Sequence, residues 1–293
     1  MSIIKYDHVL QLSTEGGVNG IMVTKKCSII IPTKDKNSRL KLTLKGLENQ
    51  VDQDMEVIVV FDGCRPETIS SFAEMKFAFE PIKVISETNI GRAAARNKGL
   101  ERATGDVIIF VDDDRIPAPD FVSKHLARHE EECVVLGERM DTKLTESAIE
   151  QLCNENDFSE VMKVLQQNSK KEFYYNIKKM VLKNPYHPLR YIGFITGNVS
   201  VDKSLLDKVG GFDPNFTGWG YEDTDLGYRL AKANVKYIAD YTIVNYHIMH
   251  ERNKAEKSKE ELRNLRYFAN KFRNDKVLQR AIVFYRLKAT LRW

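Results

Sequence analysis

Several things are scarce in this chain, and each absence narrows what it can be. No apolar run approaches the roughly 20 residues that a helix needs to cross a bilayer, so no membrane-spanning helix is expected. Between Met1 and Asn19 there is no apolar core followed by a small-residue cleavage site, so no secretory signal is expected either. Cysteine is sparse. Cys27, Cys64, Cys133 and Cys153 are widely spaced and form no CxxC pair, which removes support for zinc and dithiol-redox motifs. Cys27 and Cys133 lie in apolar, strand-like runs, as buried free thiols do in a reducing cytoplasm, and a cytoplasmic location is expected. Glycine and proline are few, 16 and 8 of 293 residues, and there is no internal repeat or low-complexity linker, so neither a fibrous nor a disordered chain fits. What remains is an ordinary globular composition, long enough for one large α/β domain or two small ones.

The first half alternates strand-like and helical runs. Strands are expected at Cys27–Ile31 (closed by Pro32-Thr33), Met55–Phe61, Ile82–Ile85, Val107–Val111 and Val134–Leu136. Helices are expected after Ser38 as an N-cap, with Leu40, Leu44 and Leu47 on one side, then from Pro66 to Phe79, from Arg92 to Ala103, and after Pro119. Such units predict an α/β fold with a Rossmann-like, mostly parallel sheet, right-handed crossovers and flanking helices. Polar residues follow each strand, and the ligand crevice of such a sheet lies at the strands' carboxyl ends.

This half spans residues 25–141, behind an N-terminal extension, 1–24. A polar, Lys-rich stretch without strand alternation then predicts a helical insertion over 142–190. Strand-like sequence returns at Tyr191–Asp202, Gly210–Gly220 reads as a loop, and Tyr237–His250 has strand character, which makes a second half over 191–252. Residues 253–293 read as one or two amphipathic helices with Leu262, Leu265, Ala269 and Phe272 at helical spacing. That segment holds twelve Lys/Arg and four Asp/Glu, a balance of +8, so a net charge of +4 leaves the remainder at −4. A basic tail of this kind can pack on the domain or meet phospholipid headgroups at the inner face of a membrane. Its apolar face makes nucleic acid the poorer fit.

Three aspartates, Asp112, Asp113 and Asp114, end the apolar run Val107–Val111. Like charges packed at a strand's end repel unless a cation or solvent relieves them. Hard oxygen ligands favour Mg²⁺ or Mn²⁺ bridging to a diphosphate, whereas a solvated acidic turn accounts well for one Asp and less well for three. Downstream, Gly218 and Gly220 flank Trp219, allowing a tight turn that presents the indole as a flat platform for a sugar or a ring. Glu222, Asp223 and Asp225 follow in the first turn of a helix. Asp225 reads as a partner of the helix dipole, and Glu222 and Asp223 as carboxylates able to take a proton from a substrate hydroxyl. Arg92 and Arg96, four apart on a helix opened by Gly91, share a face that could reach a nucleotide. His247 and His250 point oppositely if the strand continues through them, and both can approach the aspartates as metal ligands if it has ended.

Together these segments resemble the family 2 glycosyltransferases of the GT-A fold. The matching elements are Ile29-Ile-Ile-Pro-Thr33, Val59-Val-Phe-Asp62, the run from Asn89 to Asn97, Phe110-Val-Asp-Asp-Asp114, and Gly218-Trp-Gly-Tyr-Glu-Asp223. The last is also similar to a motif of β-1,4-galactosyltransferases, polypeptide GalNAc-transferases and chondroitin polymerases. The resemblance implies a nucleotide-sugar donor, most often a UDP-sugar, a Mn²⁺ or Mg²⁺ cofactor, and inversion at the anomeric carbon. The acceptor would be a carbohydrate, a lipid-linked glycan or a peptide. By the same resemblance, Pro32, Thr33 and Asp35 line the nucleotide pocket, Asp62 contacts the base, and Arg92 or Arg96 faces the nucleotide. Asp112 and Asp113 hold ribose and donor sugar, or reach the metal through water. Asp114 binds the metal directly, with His247 or His250 as a further ligand. Asp223 is the general base, Glu222 binds acceptor or donor hydroxyls, and Trp219 with Gly220 lines the acceptor or donor sugar subsite, in the second, acceptor-binding half. The chain departs from the family pattern at Lys34, where an aromatic is usual, and at Phe61-Asp62-Gly63-Cys64, where Asp-Asp-Gly-Ser is usual. These departures bear on base and sugar preference.

Two rival readings need different features. A sugar nucleotidyltransferase calls for a glycine-rich loop after the first strand, and the segment from Ile31 to Asn37 has none. A non-catalytic carbohydrate- or nucleotide-binding module has no need of the Glu222-Asp223 pair or of the aspartate triad.

Overall fold

The computed structural model describes the backbone of residues 3–6, 9–12, 21–23, 25–172, 175–250 and 254–290, and side chains from residue 25 onward except 173–175, 177, 251–254 and 284–293. The expected boundary at residue 253 lies outside the described residues. Within the N-terminal extension, β1 (Ile3–Tyr6), β2 (Val9–Leu12) and β3 (Ile21–Val23) pair antiparallel in a small sheet.

The first half of the main sheet's chain follows as β4 (Cys27–Thr33), α1 (Asn37–Lys45), β5 (Met55–Asp62), α2 (Pro66–Ala73), β6 (Ile82–Ser86), α3 (Arg92–Arg102) and β7 (Val107–Phe110). Then come β8 (Arg115–Pro117), α4 (Phe121–Leu126) and β9 (Cys133–Thr142). The insertion contains α5 (Glu146–Asn154), α6 (Phe158–Gln167), β10 (Ser169–Lys171) and α7 (Tyr175–Val181). After a 3-10 turn at Arg190–Gly193 the chain runs through β11 (Val199–Asp202), α8 (Lys203–Val209), α9 (Glu222–Lys232) and β12 (Lys236–Ile248), and finishes with α10 (Lys254–Lys271) and α11 (Lys276–Thr290).

The main sheet has the order β6-β5-β4-β7-β11-β9-β12-β8, with β10 on the overhanging end of β9. Strands β4 to β7, β9 and β12 run one way, and β8, β10 and β11 run the other. The mostly parallel sheet is therefore present, with one antiparallel strand, β11, inserted at its centre. Residues alternate across β4 as the pleat requires. Ile30 joins the core beneath α3, α8 and α9, while Ile29 and Ile31 join the core beneath α1, α2 and α4. Helix α3 lies close on the sheet because its inner face is small. A Cβ on Gly99 would come within 2.4 Å of Ile30 Cγ2. A third core underlies α5 and α6, and a fourth joins Tyr191, Tyr228, Leu265, Phe268, Leu278 and Ile282.

Several local expectations need correction. Ser38 does not cap α1, because the helix already starts at Asn37 and Lys36 holds the N-cap position, its side chain turned to the aspartates. Helix α2 ends at Ala73 rather than Phe79. Phe77 stacks between Phe72 and Phe79 at centroid distances of 6.1 Å, and this packing turns the chain out of the helix. The insertion is not wholly helical, since β10 pairs with Met140–Thr142. Within Tyr191–Asp202 only Val199–Asp202 is strand. Tyr191 and Phe194 are drawn into two different cores, and Gly197 at φ 101° breaks the extended backbone. Leu262 is 43% exposed, while Leu265 and Ala269 are buried, so α10 faces the domain through a different side than its leucines alone indicate. No helix among the described residues is long and apolar enough to cross a membrane.

Candidate active site

The strand directions decide what meets at the sheet's carboxyl edge. β4 delivers Thr33 there, β5 Asp62, β7 the aspartates, and β12 His247. Because β11 runs antiparallel to its neighbours, the loop before it, Thr196-Gly197-Asn198, arrives at the same edge. The first turn of α9 closes the group with Glu222 and Asp223, after Tyr221 at φ 71°.

The three aspartates take three directions. Asp112 lies 2.9 Å from Arg96 Nη2 and 3.6 Å from Arg115 Nη2. Asp113 accepts hydrogen bonds from Thr33 Oγ1 at 2.9 Å and Lys36 Nζ at 3.2 Å. Asp114 lies 3.1 Å from Lys36 Nζ, 3.2 Å from His250 Nε2 and 3.9 Å from His247 Nε2. The repulsion foreseen for three packed carboxylates is thus relieved by Arg96 and Arg115 at Asp112 and by Lys36, which Asp113 and Asp114 share. Burial pushes Asp113 up to about 6, with Asp114 adding to the shift and Lys36 opposing it. Burial also works against charge on Asp114, but the His250 hydrogen bond and the Lys36 ammonium outweigh it and hold that carboxyl well below its usual range.

Asp114, His247 and His250 offer one carboxylate oxygen and two imidazole nitrogens that all lie within 4.8 Å of one another, a donor set that fits a divalent cation. Strand β12 ends at Ile248, which frees His250 to turn to the same side as His247. Asp141 hydrogen-bonds His247 Nδ1 at 2.9 Å and so aims Nε2 at Asp114. Burial, helped by Arg115, lowers the His247 pKa despite Asp141, which favours the neutral imidazole that metal binding requires. Asp112 is not part of this group, because its oxygens are held by the two arginines.

Arg96 joins the two halves of the site. Its guanidinium is 3% exposed and lies 2.9 Å from Asp112, 3.4 Å from Glu222 and 3.6 Å from Asp223. Thr196 holds Asp223 from the other side, through its N–H at 3.2 Å and its Oγ1 at 2.8 Å. Burial and the neighbouring Glu222 push Asp223 up to about 7, against the pull of Arg96. Gly197 must be glycine. At φ 101° a Cβ would also sit 2.7 Å from Asp112 Oδ2. Arg96→Met should cost about 3–5 kcal/mol at neutral pH, since it leaves buried carboxylates without their shared cation. Urea denaturation at pH 7 and pH 5 checks this. The loss should shrink at pH 5 as the carboxylates protonate, and an unchanged stability at pH 7 would sink the idea.

The remaining expected residues lie around this centre. Pro32 is in β4. Asp35, at φ 54°, spends its carboxylate on Arg65 N–H and Thr68 Oγ1 at the start of α2. Asp62 accepts from the N–H groups of Ile90 and Gly91. Arg92 is half-buried and acts on Asp112 only through its charge. Trp219 and Gly220 sit in the loop before α9, and Lys257 Nζ lies 3.7 Å from the centre of the indole. Asp225 pairs with Arg229 and Lys271 and is a structural residue. Sequence reading missed Lys36, Arg115, Asp141, Thr196 and Gly197. Arg115, directly after the aspartates, was the most visible of them.

Two family models match this chain. Residues 28–205, more than half of it, match the one described as glycosyl transferase family 2. The chain belongs to glycosyl transferase family 2. Residues 177–254 match the model described as the N-terminal domain of galactosyltransferase, and this stretch contains Trp219, Glu222 and Asp223. The Bacillus subtilis protein named uncharacterized glycosyltransferase YfnE is 31% identical, over 88% of this chain and 74% of its own length. The chondroitin synthase of Pasteurella multocida is 30% identical over 69% of this glycosyltransferase, which spans only 22% of that larger protein. Among solved structures, a mannosyltransferase of Pyrobaculum calidifontis, PcManGT, in complex with GDP-Man and Mn²⁺, superposes with a TM-score of 0.59 at 17% identity, over 86% of this chain and 65% of that one. This likeness shows the fold, GT-A.

Proposed function

We propose that this glycosyltransferase moves a sugar from a nucleotide-sugar, with a UDP-sugar the first candidate, to an acceptor hydroxyl or other nucleophile with inversion, and that it works with a bound divalent cation. The observation that carries the reading is the division of one carboxylate cluster by Arg96. On one side lies a cation-binding set, Asp114, His247 and His250. On the other lies Asp223, aimed by Thr196 and poised near neutrality. The likeness to PcManGT, captured with GDP-Man and Mn²⁺, supports a nucleotide-sugar donor and a metal. The likeness to chondroitin synthase supports a carbohydrate acceptor, with a lipid-linked glycan or a peptide as the alternatives.

In this reading Asp223 accepts the proton of the acceptor hydroxyl as that oxygen attacks the anomeric carbon, which gains oxocarbenium character as the diphosphate leaves from the opposite face. Thr196 fixes the carboxylate's orientation, and Glu222 accepts a hydrogen bond from a sugar hydroxyl. Arg96 keeps the three carboxylates from expelling one another. Thr33 and Asp62 stand where the nucleotide enters, and Asp62 retains acceptor capacity for a base N–H beyond the two backbone groups it already binds. Asp114, His247 and His250 would hold the cation, which supplies Lewis-acid neutralisation of the leaving diphosphate when bound. Two imidazoles among the donors favour Mn²⁺ over Mg²⁺, which prefers an all-oxygen shell.

The test is a panel of UDP- and GDP-sugars incubated with the full chain and Mn²⁺. Slow release of nucleoside diphosphate without acceptor, from one or a few donors, is expected. Pyrophosphate release from a nucleoside triphosphate and a sugar phosphate would instead make the protein a nucleotidyltransferase. No turnover of any donor would favour a binding module.

A further inference from the structure

We infer that α10 is the element that builds the sugar platform of this site, with Asn264 as its central positioning residue. The inference rests on Trp219 lining an acceptor subsite. The loop that carries Trp219 is costly to hold. Gly218, Gly220 and Tyr221 all have positive φ, at 75°, 94° and 71°. Among the described residues, no main-chain group of residues 217–220 bonds to another main-chain group. Its carbonyls and N–H groups need partners from elsewhere.

Helix α10 supplies them from one side. Asn264 Nδ2 lies 3.0 Å from the carbonyl oxygen of Thr217, 3.1 Å from that of Trp219 and 2.9 Å from that of Gly220. Asn264 is 2% exposed, so these bonds are shielded from bulk water. Arg263 also donates to the Thr217 carbonyl. Glu260 accepts the Trp219 N–H at 3.0 Å, and Lys257 places its ammonium 3.7 Å from the indole centre, a cation–π contact. Lys257, Glu260 and Asn264 are spaced to share one helix face. Gly218 is the counterpart on the loop, since a Cβ there would come within 2.3 Å of Glu260 Oε1. The helix is itself anchored on α9, the helix of Glu222 and Asp223, through Phe268 against Tyr228. Platform and α10 therefore form one unit, whereas Asp223 is held separately by Thr196 and Arg96, and the C-terminal region is part of the active site's scaffold.

The chemistry of Asn264 is specific. An amide of this length presents two N–H donors to three carbonyls. Asp has none, Ala has none, and Gln carries its donors one methylene further out. Removing a buried amide that bridges three carbonyls takes away what ties the loop to α10 and so releases the loop.

The experiment compares wild type, Asn264→Ala and Trp219→Ala as full chains in three measurements. These are hydrolysis of the preferred donor without acceptor, KM for p-nitrophenyl glycosides as acceptor probes, and acrylamide quenching of Trp219 fluorescence in a Trp293→Phe background, the last on wild type and Asn264→Ala. For Asn264→Ala we expect donor hydrolysis unchanged, acceptor KM raised at least about tenfold, and stronger quenching of Trp219. Unchanged quenching, or hydrolysis and acceptor use falling together, overturns the inference. If Trp219→Ala leaves acceptor KM unmoved, the platform reading itself fails. If Trp219→Ala raises KM and Asn264→Ala does not, only the positioning role fails. Should Asn264→Ala not fold, Glu260→Ala, which removes the acceptor of the Trp219 N–H, must give the same split in smaller degree.

Discussion

Asp223→Asn is expected to lower turnover by about 10²–10⁴-fold while donor affinity stays within error of wild type. The size follows from what the residue is asked to do. Asn occupies the same space and can still accept from Thr196 Oγ1, but it cannot take up a proton. Donor binding is spared because the groups proposed to hold the nucleotide and diphosphate lie on the far side of Arg96. The same assignment has a pH signature. Burial, then Glu222, push Asp223 up to about 7, so the carboxyl is protonated and idle below that pH and becomes the competent base as pH rises through it. The pH profile of kcat/KM should therefore have an acid limb near neutrality that Asp223→Asn abolishes. Isothermal titration with the preferred donor, paired with initial rates across pH 5.5–8.5, measures both parts. Near-wild-type turnover in the variant would remove Asp223 from the base role, and a lost donor affinity would reassign it to donor binding.

Excess chelator is expected to abolish transfer, and added Mn²⁺ to restore it, with Asp114→Ala unable to respond. Asp114 touches both histidines and has its charge stabilised by them, so its removal takes away the only carboxylate of the donor set. A finer expectation concerns Asp141, which touches no substrate. It fixes His247 through Nδ1, and Asp141→Asn should weaken Mn²⁺ binding by about 10–100-fold, as loss of such outer partners does elsewhere. Titration of free Mn²⁺ by its electron paramagnetic resonance signal reads this without any turnover. Full transfer in excess chelator would refute the metal role, and an Asp141→Asn protein with unchanged affinity would limit Asp141 to holding β9 and β12 together.

Much of this site was legible in the chain because its parts are local. Asp112, Asp113 and Asp114 follow an apolar strand, and the strand's end places them in the crevice. Gly218, Trp219 and Gly220 announce a tight turn, and Glu222 and Asp223 open a helix. What stayed hidden joins residues far apart. Arg96 read as a nucleotide contact because nothing near it in sequence reveals Asp112, Glu222 and Asp223 as neighbours. Lys36 read as loop, and Thr196 as strand, because their partners are the distant Asp113 and Asp223. Leu262 misdirected the reading of α10 because helical spacing alone does not say which face meets the domain. The face that does combines buried Leu265, Phe268 and Ala269 with Glu260 and Asn264, which hold main chain of the loop before α9.

The three aspartates, the alternating strands and helices and the Trp219–Asp223 segment by themselves determined a sheet with a crevice at its carboxyl edge and the kinds of groups in it. Only the tertiary structure decided their division of labour. Inserting β11 antiparallel between β7 and β9 brings Thr196 and Gly197 to the aspartates, and ending β12 at Ile248 turns both histidines to Asp114. The physical reason is that a carboxylate's role depends on which cation or donor lies within about 3–4 Å of it, where Coulomb and hydrogen-bond energies are large. Strand order, not local sequence, sets those distances.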